Sequence, residues 1–292
     1  RVILNVLGLL LIFNGLFMLL CLPASFYFNM DDLLPIALSA AATIGTGVLT
    51  WVLTRSAKKP NIRKREGFLI VSLGWVVMSL SGTLPYILSG SVVSFTDAFF
   101  ETMSGVTTTG STVLSGLDHA SPGLLIWRSM LQWLGGIGFI GMAVAILPLL
   151  RVGGMRLFQT ESSDWGEKVM PRSHMAAKYI LFIYLSLTLI GFLGFWLAGM
   201  TPFDAINHAM TSISTGGYST SDSSLANWSQ PAVHWVAVVL MIFGGLPFTL
   251  YVATLRGNRK ALLKDHQVRG FLGFLLATWL IFGTWLWLHS DN

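Results

Sequence analysis

The sequence predicts an all-α membrane protein, built from parallel span–short helix–span repeats behind a two-helix extension. Three observations predict it. Of 292 residues, 53% are hydrophobic and only 11% charged, against about 25% charged in a soluble domain. Seven apolar stretches are long enough to cross a bilayer core, which takes about 20 residues: Val2 to Leu22, Leu34 to Thr54, Gly67 to Leu88, Leu124 to Leu150, Ala177 to Gly199, Val233 to Leu255 and Gly270 to Leu288. Two shorter apolar segments, near Asp97 and Asp204, align with each other without gaps at an offset of 107 residues.

The first stretch is not a secretory signal. It lacks a small-residue cleavage site and is followed at once by further spans. With Arg at position 1 and little chain after the seventh stretch, the sequence reads as a fragment of a longer protein. Its single cysteine, Cys21, lies in a span and reads as a small core residue.

Charge placement sets the topology. Of 18 Lys and Arg, 16 fall in three alternate loops, Arg55 to Arg65, Arg151 to Lys178 and Arg256 to Arg269. The positive-inside rule makes that face cytoplasmic. The net charge of +5 is thereby accounted for, and no nucleic-acid site is expected. The opposite face carries Asp31, Asp32, Asp97, Glu101, Asp118, Asp204, Asp222 and Asp291 against Arg128. This excess reads either as a mouth that gathers cations or as acids that drift outward for want of a topological preference. Arg128 likewise has two readings, as a partner for Glu101 or Asp97 or as a snorkelling interfacial residue.

The aligned segments carry the chemistry. The first runs Asp97-Ala98-Phe99-Phe100-Glu101-Thr102-Met103-Ser104-Gly105 into Val106-Thr107-Thr108-Thr109-Gly110-Ser111. The second runs Asp204-Ala205-Ile206-Asn207-His208-Ala209-Met210-Thr211-Ser212-Ile213 into Ser214-Thr215-Gly216-Gly217-Tyr218-Ser219. Each predicts a short helix of about 15 Å, half the membrane, started by its Asp as N-cap. A Thr/Gly loop follows at membrane depth. Irregular backbone is tolerated there only where it is buried in protein or lines a wet path. Carbonyls and Thr hydroxyls are hard oxygen ligands that can replace a hydration shell, and Gly110 and Gly217 can adopt positive φ. Both loops enter from the outer face, each helix C-terminus turning its negative dipole end inward. The expected ion-binding residues are Thr107, Thr108, Thr109, Gly110, Ser214, Thr215, Gly216 and Gly217, with the cation held at Thr108, Thr109, Thr215 and Gly216.

At these residues the sequence resembles the Trk/Ktr/HKT superfamily of potassium transporters, most closely its bacterial TrkH/TrkG branch. Val106 to Ser111 and Ser214 to Ser219 are similar to that family's first two filter segments. Trp127-Arg128-Ser129-Met130-Leu131-Gln132-Trp133-Leu134-Gly135-Gly136-Ile137-Gly138 resembles the start of its first inner helix, and Phe243-Gly244-Gly245-Leu246-Pro247-Phe248 the matching part of the second repeat. The resemblance implies four span–loop–span repeats around one pore. A glycine in each filter segment is associated with potassium selectivity. It also implies a homodimer in the bacterial inner membrane, gated by a cytosolic TrkA-type nucleotide-binding ring. On that basis residues 1–55 are a two-span extension, 67–150 a first pore repeat, 177–255 a second, and 268–292 the first span of a truncated third. Potassium is the implied substrate; no cofactor and no enzymatic activity are expected. A secondary transporter with broken helices at its midplane, carrying another cation or a small solute, is the alternative; the sequence leaves open whether potassium moves by a channel or by symport.

Gly136-Ile137-Gly138-Phe139-Ile140-Gly141 matches a dinucleotide fingerprint, but it sits in a span rather than after a strand and reads as close helix packing or as flexibility of the inner helix. His208 occupies the position of Glu101 in the second copy and reads as a hydrogen-bonding residue. The eleven tryptophans, among them Trp127, Trp228 and Trp285, suit interfacial belts.

Overall fold

The structure is a computed structural model, which describes the backbone of residues 1–28, 31–55, 64–150 and 169–289. The basic loops expected at 56–63 and 151–168 lie outside the described residues.

Helices make up the described chain. Helix α1 (Val2–Leu19) and the short α2 (Leu22–Tyr27) form the first span, with Pro23 in the first turn of α2. It returns as α3 (Leu33–Thr54). These two spans pack with backbones nearly in contact: a Cβ on Gly47 would stand 2.8 Å from the Gly8 carbonyl oxygen. In lipid, where apolar side chains gain little by leaving the solvent, small residues that allow such an approach supply the association energy. Polar groups add to it. Asn14 Nδ2 donates to Ser81 Oγ at 2.7 Å, tying α1 to α4 (Lys64–Gly82).

After α4 come α5 (Leu84–Leu88), the short α6 (Phe95–Val106) and the long α7 (Pro122–Leu150). The order then repeats: α8 (Val169–Leu197), the short α9 (Pro202–Ile213) and α10 (Pro231–Gly245). Helices α11 (Phe248–Leu255), α12 (Ala261–Lys264) and α13 (His266–His289) complete the chain. Among the described residues, five helical segments are long and apolar enough to span, Val2–Tyr27, Leu33–Thr54, Arg65–Leu88, Ala177–Leu197 and His266–His289. The predicted span at Leu124 to Leu150 runs along α7.

Two expectations are corrected. The stretch Val233 to Leu255 is not one straight span: α10 and α11 meet at an 86° bend. Gly244-Gly245-Leu246-Pro247 sits at the corner, where Pro247 lacks the N–H that a continuing helix needs. A Cβ on Gly244 would strike the carbonyl oxygen of Ile213, so the bend forms where α10 meets the end of α9. The short helices, too, begin before their aspartates. Ser94 and Thr201 are the N-caps, and their hydroxyls accept from the N–H of Asp97 and Asp204 at 3.4 and 3.1 Å. The aspartates occupy the third helical position, as the acid does in a capping box. There the positive helix end favours them as it would a cap.

Three apolar clusters fix the frame. One joins Met18, Ile36, Ala98, Val106, Trp127 and Leu131. Another joins Phe195, Ala205, Trp228, Val233 and Leu240. The third joins Ile183, Tyr184, Ile213 and Phe248. Trp127 and Trp228 belong to these clusters and not to an interfacial belt. Trp127 is fully buried and donates from Nε1 to the Gly82 carbonyl at 3.1 Å. Trp285 is exposed.

Candidate ion-binding site

The two Thr/Gly loops are copies in conformation as well as in sequence. Thr108 and Thr215 take φ of 56° and 55°, and Gly110 and Gly217 take 81° and 82°. A left-handed β-branched residue is a strained conformation, costing roughly 1–3 kcal/mol where it persists. Its occurrence at the same place in both loops marks a built feature. The hydrogen bonds match as well. Thr107 and Ser214 N–H reach the Met103 and Met210 carbonyls at 2.9 and 3.3 Å. Thr108 and Thr215 N–H reach Gly105 and Ser212 at 2.9 and 3.0 Å. Thr109 and Gly216 N–H reach Ser104 and Thr211, both at 2.9 Å. Each loop thus spends its N–H groups on the end of its own short helix. The left-handed φ of Thr108 and Gly110, two residues apart, breaks the regular alternation of carbonyls that a strand would have.

The loops also touch. A Cβ on Gly110 would meet the carbonyl oxygen of Gly216, so the two segments run side by side at glycine spacing. Thr107, Thr109, Thr215 and Gly217 are exposed, and Ser214 and Gly216 buried. The hydroxyls of the first loop residues turn back: Thr107 Oγ1 donates to Met103 O at 2.7 Å and Ser214 Oγ to Met210 O at 2.9 Å. Those two hydroxyls are therefore engaged by their own short helices. Behind each loop the following inner helix makes a matching close contact, Gly135 against Val106 O and Gly244 against Ile213 O.

A polar network ties one loop to the other. Arg128, 2% exposed, pairs with the fully buried Glu101, Nε to Oε1 at 2.9 Å. Its Nη1 donates to the Ser219 carbonyl at 3.0 Å and its Nη2 to Thr112 Oγ1 at 3.2 Å. Glu101 also accepts from Thr112 Oγ1 and from the Val113 N–H at 3.0 Å. Of the two readings of Arg128 the partner of Glu101 holds, and snorkelling does not. In low dielectric an ion pair stands only with its remaining donors and acceptors satisfied, as they are here. Tyr218 crosses between the units, its Oη donating to Glu101 O at 2.9 Å and to Ser111 O at 3.2 Å. The Arg128 guanidinium lies 4.2 Å from the centre of its ring. His208 repeats the pattern in the second unit. Its Nε2 lies 3.0 Å from Ser219 Oγ, as Glu101 reaches Thr112, and its Nδ1 lies 2.8 Å from Asp204 O.

The acids near the loops are largely used within the protein. Asp222 accepts from the Gly116 and Leu117 N–H groups at 2.9 and 3.2 Å, and Asp204 Oδ1 from Thr220 Oγ1 at 2.6 Å. Asp32 Oδ2 accepts from Leu124 N at 3.3 Å. Hydrogen bonding from Ser221 holds the Asp118 carboxyl below the usual carboxylate range. Asp118 thus contributes stability that is complete at neutral pH, above its unfolded value, and lost as acid protonates it. Replacing Asp222 with alanine is expected to free the 114–120 loop from the second unit. The melting temperature should fall by a few degrees, the effect of about 1 kcal/mol, and amide exchange at Gly116 and Leu117 should accelerate.

Gly136 lies in α7, where a Cβ on it would stand 2.7 Å from Tyr184 Oη, as close packing expects, whereas one on Gly138 would meet nothing within 4 Å. No periodicity or motif marks Tyr218 or Gln132 as joints between the units, because each acts across 86 or more residues; nor does anything in the sequence signal the positive φ of Thr108 and Thr215.

The profile described as "TrkH: Cation transport protein" matches residues 34–288. Trk system potassium uptake protein TrkI of Halomonas elongata is 44% identical over 284 residues, covering 97% of this chain and 58% of that protein. Trk system potassium uptake protein TrkH of Escherichia coli is 40% identical over 251 residues, 85% of this chain and 52% of the relative. The crystal structure of the potassium transporter TrkH from Vibrio parahaemolyticus superposes with a TM-score of 0.88 at 36% identity, covering 99% of this chain and 60% of that one. The chain spans about half to three fifths of the length of these relatives. It is a multi-pass membrane protein and belongs to the TrkH family of cation transport proteins.

Proposed function

We propose that this chain carries half of the ion path of a potassium uptake subunit, and that the Thr107–Gly110 and Ser214–Gly217 loops are two segments of its selectivity filter. The observation that carries the reading is the pair of loops with matching left-handed residues, lying side by side with Thr107, Thr109, Thr215 and Gly217 exposed. Oxygen dipoles in fixed positions substitute for the hydration shell of a weakly hydrated cation. The ends of α6 and α9 add their negative dipole ends. Dehydrated potassium would be held at Thr108, Thr109, Thr215 and Gly216, with Gly110 and Gly217 supplying carbonyl oxygens as well as the backbone freedom. Residues 1–55 serve as an extension, 67–150 and 177–255 as pore repeats, and 268–292 as the start of a third. The relatives named for potassium uptake support the choice of ion. The family resemblance supports a homodimer in the bacterial inner membrane under a cytosolic TrkA-type ring, and no enzymatic role.

The test is growth and uptake. The full-length protein that contains this sequence, expressed in a strain lacking its own potassium uptake, should restore growth at low potassium and take up rubidium in competition with potassium but not sodium. Uptake of rubidium that sodium and potassium inhibit alike would sink the reading in favour of a less selective cation path.

A further inference from the structure

Gln132 lies on α7, ten residues into the helix, and is fully buried. Its Oε1 accepts a hydrogen bond from the Tyr218 N–H, 86 residues away, at 3.1 Å. In a trans peptide the N–H and C=O point in opposite directions. Pinning the Tyr218 N–H to Gln132 therefore turns the Gly217 carbonyl away from the glutamine, toward the side on which Gly217 is exposed. An amide orientation is assigned from its network, and here an N–H donor requires the oxygen. Nε2 then faces the backs of both loops. A Cβ on Gly216 would strike the glutamine head, and one on Gly110 would lie 3.7 Å from Nε2.

Nε2 itself has no hydrogen-bond partner. An unpaired buried amide donor is costly, and a methionine of the same length would avoid that cost. The Tyr218 bond is what the polar head supplies in return. The clamp also runs one way only. Matching the inner helices by their contacts at Gly135 and Gly244 sets Met241 opposite Gln132, a residue with no amide to offer.

We propose that Gln132 is a positioning residue for cation selectivity: it fixes the direction of the Gly217 carbonyl and wedges the second loop against the first between Gly110 and Gly216. The inference rests on the two loops being a filter. Once the Tyr218 N–H is released, the Gly217 peptide can rotate, and its carbonyl no longer holds the distance that separates potassium from sodium.

The test compares variants of the full-length protein in proteoliposomes, reading radioactive rubidium uptake against rising sodium or potassium. Gln132→Met keeps the volume and removes the acceptor. Its sodium inhibition constant, relative to that of potassium, should fall roughly tenfold, the scale of one lost buried hydrogen bond. Gln132→Glu, which burial holds in its neutral form, keeps an oxygen for Tyr218 and should retain more of the wild-type ratio than Gln132→Met. Should the methionine variant fail to fold, Gln132→Asn, whose shorter stem withdraws the same acceptor, carries the same expectation. A slower rate with an unchanged sodium-to-potassium ratio would reduce Gln132 to packing and overturn the proposal. Wild-type protein whose rubidium uptake potassium does not block would instead overturn the filter reading, a result distinct from selective wild type with an unaffected variant.

Discussion

Replacing Gly110 with serine is expected to remove most of the discrimination between potassium and sodium. The position holds φ at 81°, a conformation that costs a residue with a side chain about 1–2 kcal/mol. The added Cβ would also meet the carbonyl oxygen of Gly216. That oxygen is backbone, so relief has to come from moving one loop away from the other. A cavity matched to a dehydrated potassium ion tolerates little such movement. We expect the preference for potassium over sodium to fall by at least about tenfold, or 1.4 kcal/mol, with the fold retained because the site lies at a loop edge. Sodium inhibition of rubidium uptake reads this directly, and a serine variant with full selectivity would remove Gly110 from the filter.

The second large effect lies behind the loops. Arg128→Met is expected to destabilise the protein by roughly 3–5 kcal/mol, because it strands the Glu101 carboxylate in a buried site. It also orphans the Ser219 carbonyl, so both loops loosen together. Glu101→Gln in the same background removes the stranded charge while keeping an acceptor for Thr112 and Val113. The double variant should therefore melt at a higher temperature than Arg128→Met alone. Tryptophan fluorescence melting in detergent measures all three proteins. Equal losses in the single and double variants would mean that Arg128 acts through its contacts to Ser219 and Tyr218 and not through charge.

The architecture was legible because two signals are periodic and local. Apolar runs mark spans, and the 107-residue repeat marks a unit twice over. That repeat places Thr108 with Thr215 and Gly110 with Gly217, pairs the structure matches in dihedral angle. The aspartate caps were misassigned although the correct signal stood three residues upstream. Ser94 and Thr201 precede Asp97 and Asp204 at capping-box spacing. The corner at Gly244 to Pro247 was written in glycine and proline, yet mean hydropathy across Val233 to Leu255 averages over a bend. Arg128 stayed ambiguous because its partner is 27 residues away on another helix, and an outward-lying arginine suits either a salt bridge or an interface. Gln132 stands in the stretch that resembles the family's first inner helix, but nothing in the sequence marks its partner. It is a polar residue in an apolar helix, and only tertiary placement reveals the N–H that it holds.

The most direct test is to locate the ion. Crystals of the full-length protein grown in rubidium should give an anomalous peak on the exposed side of Thr108 to Gly110 and Thr215 to Gly217, within contact distance of their carbonyl oxygens. It should vanish when sodium replaces rubidium. A rubidium site elsewhere, with none between the two loops, would contradict the account.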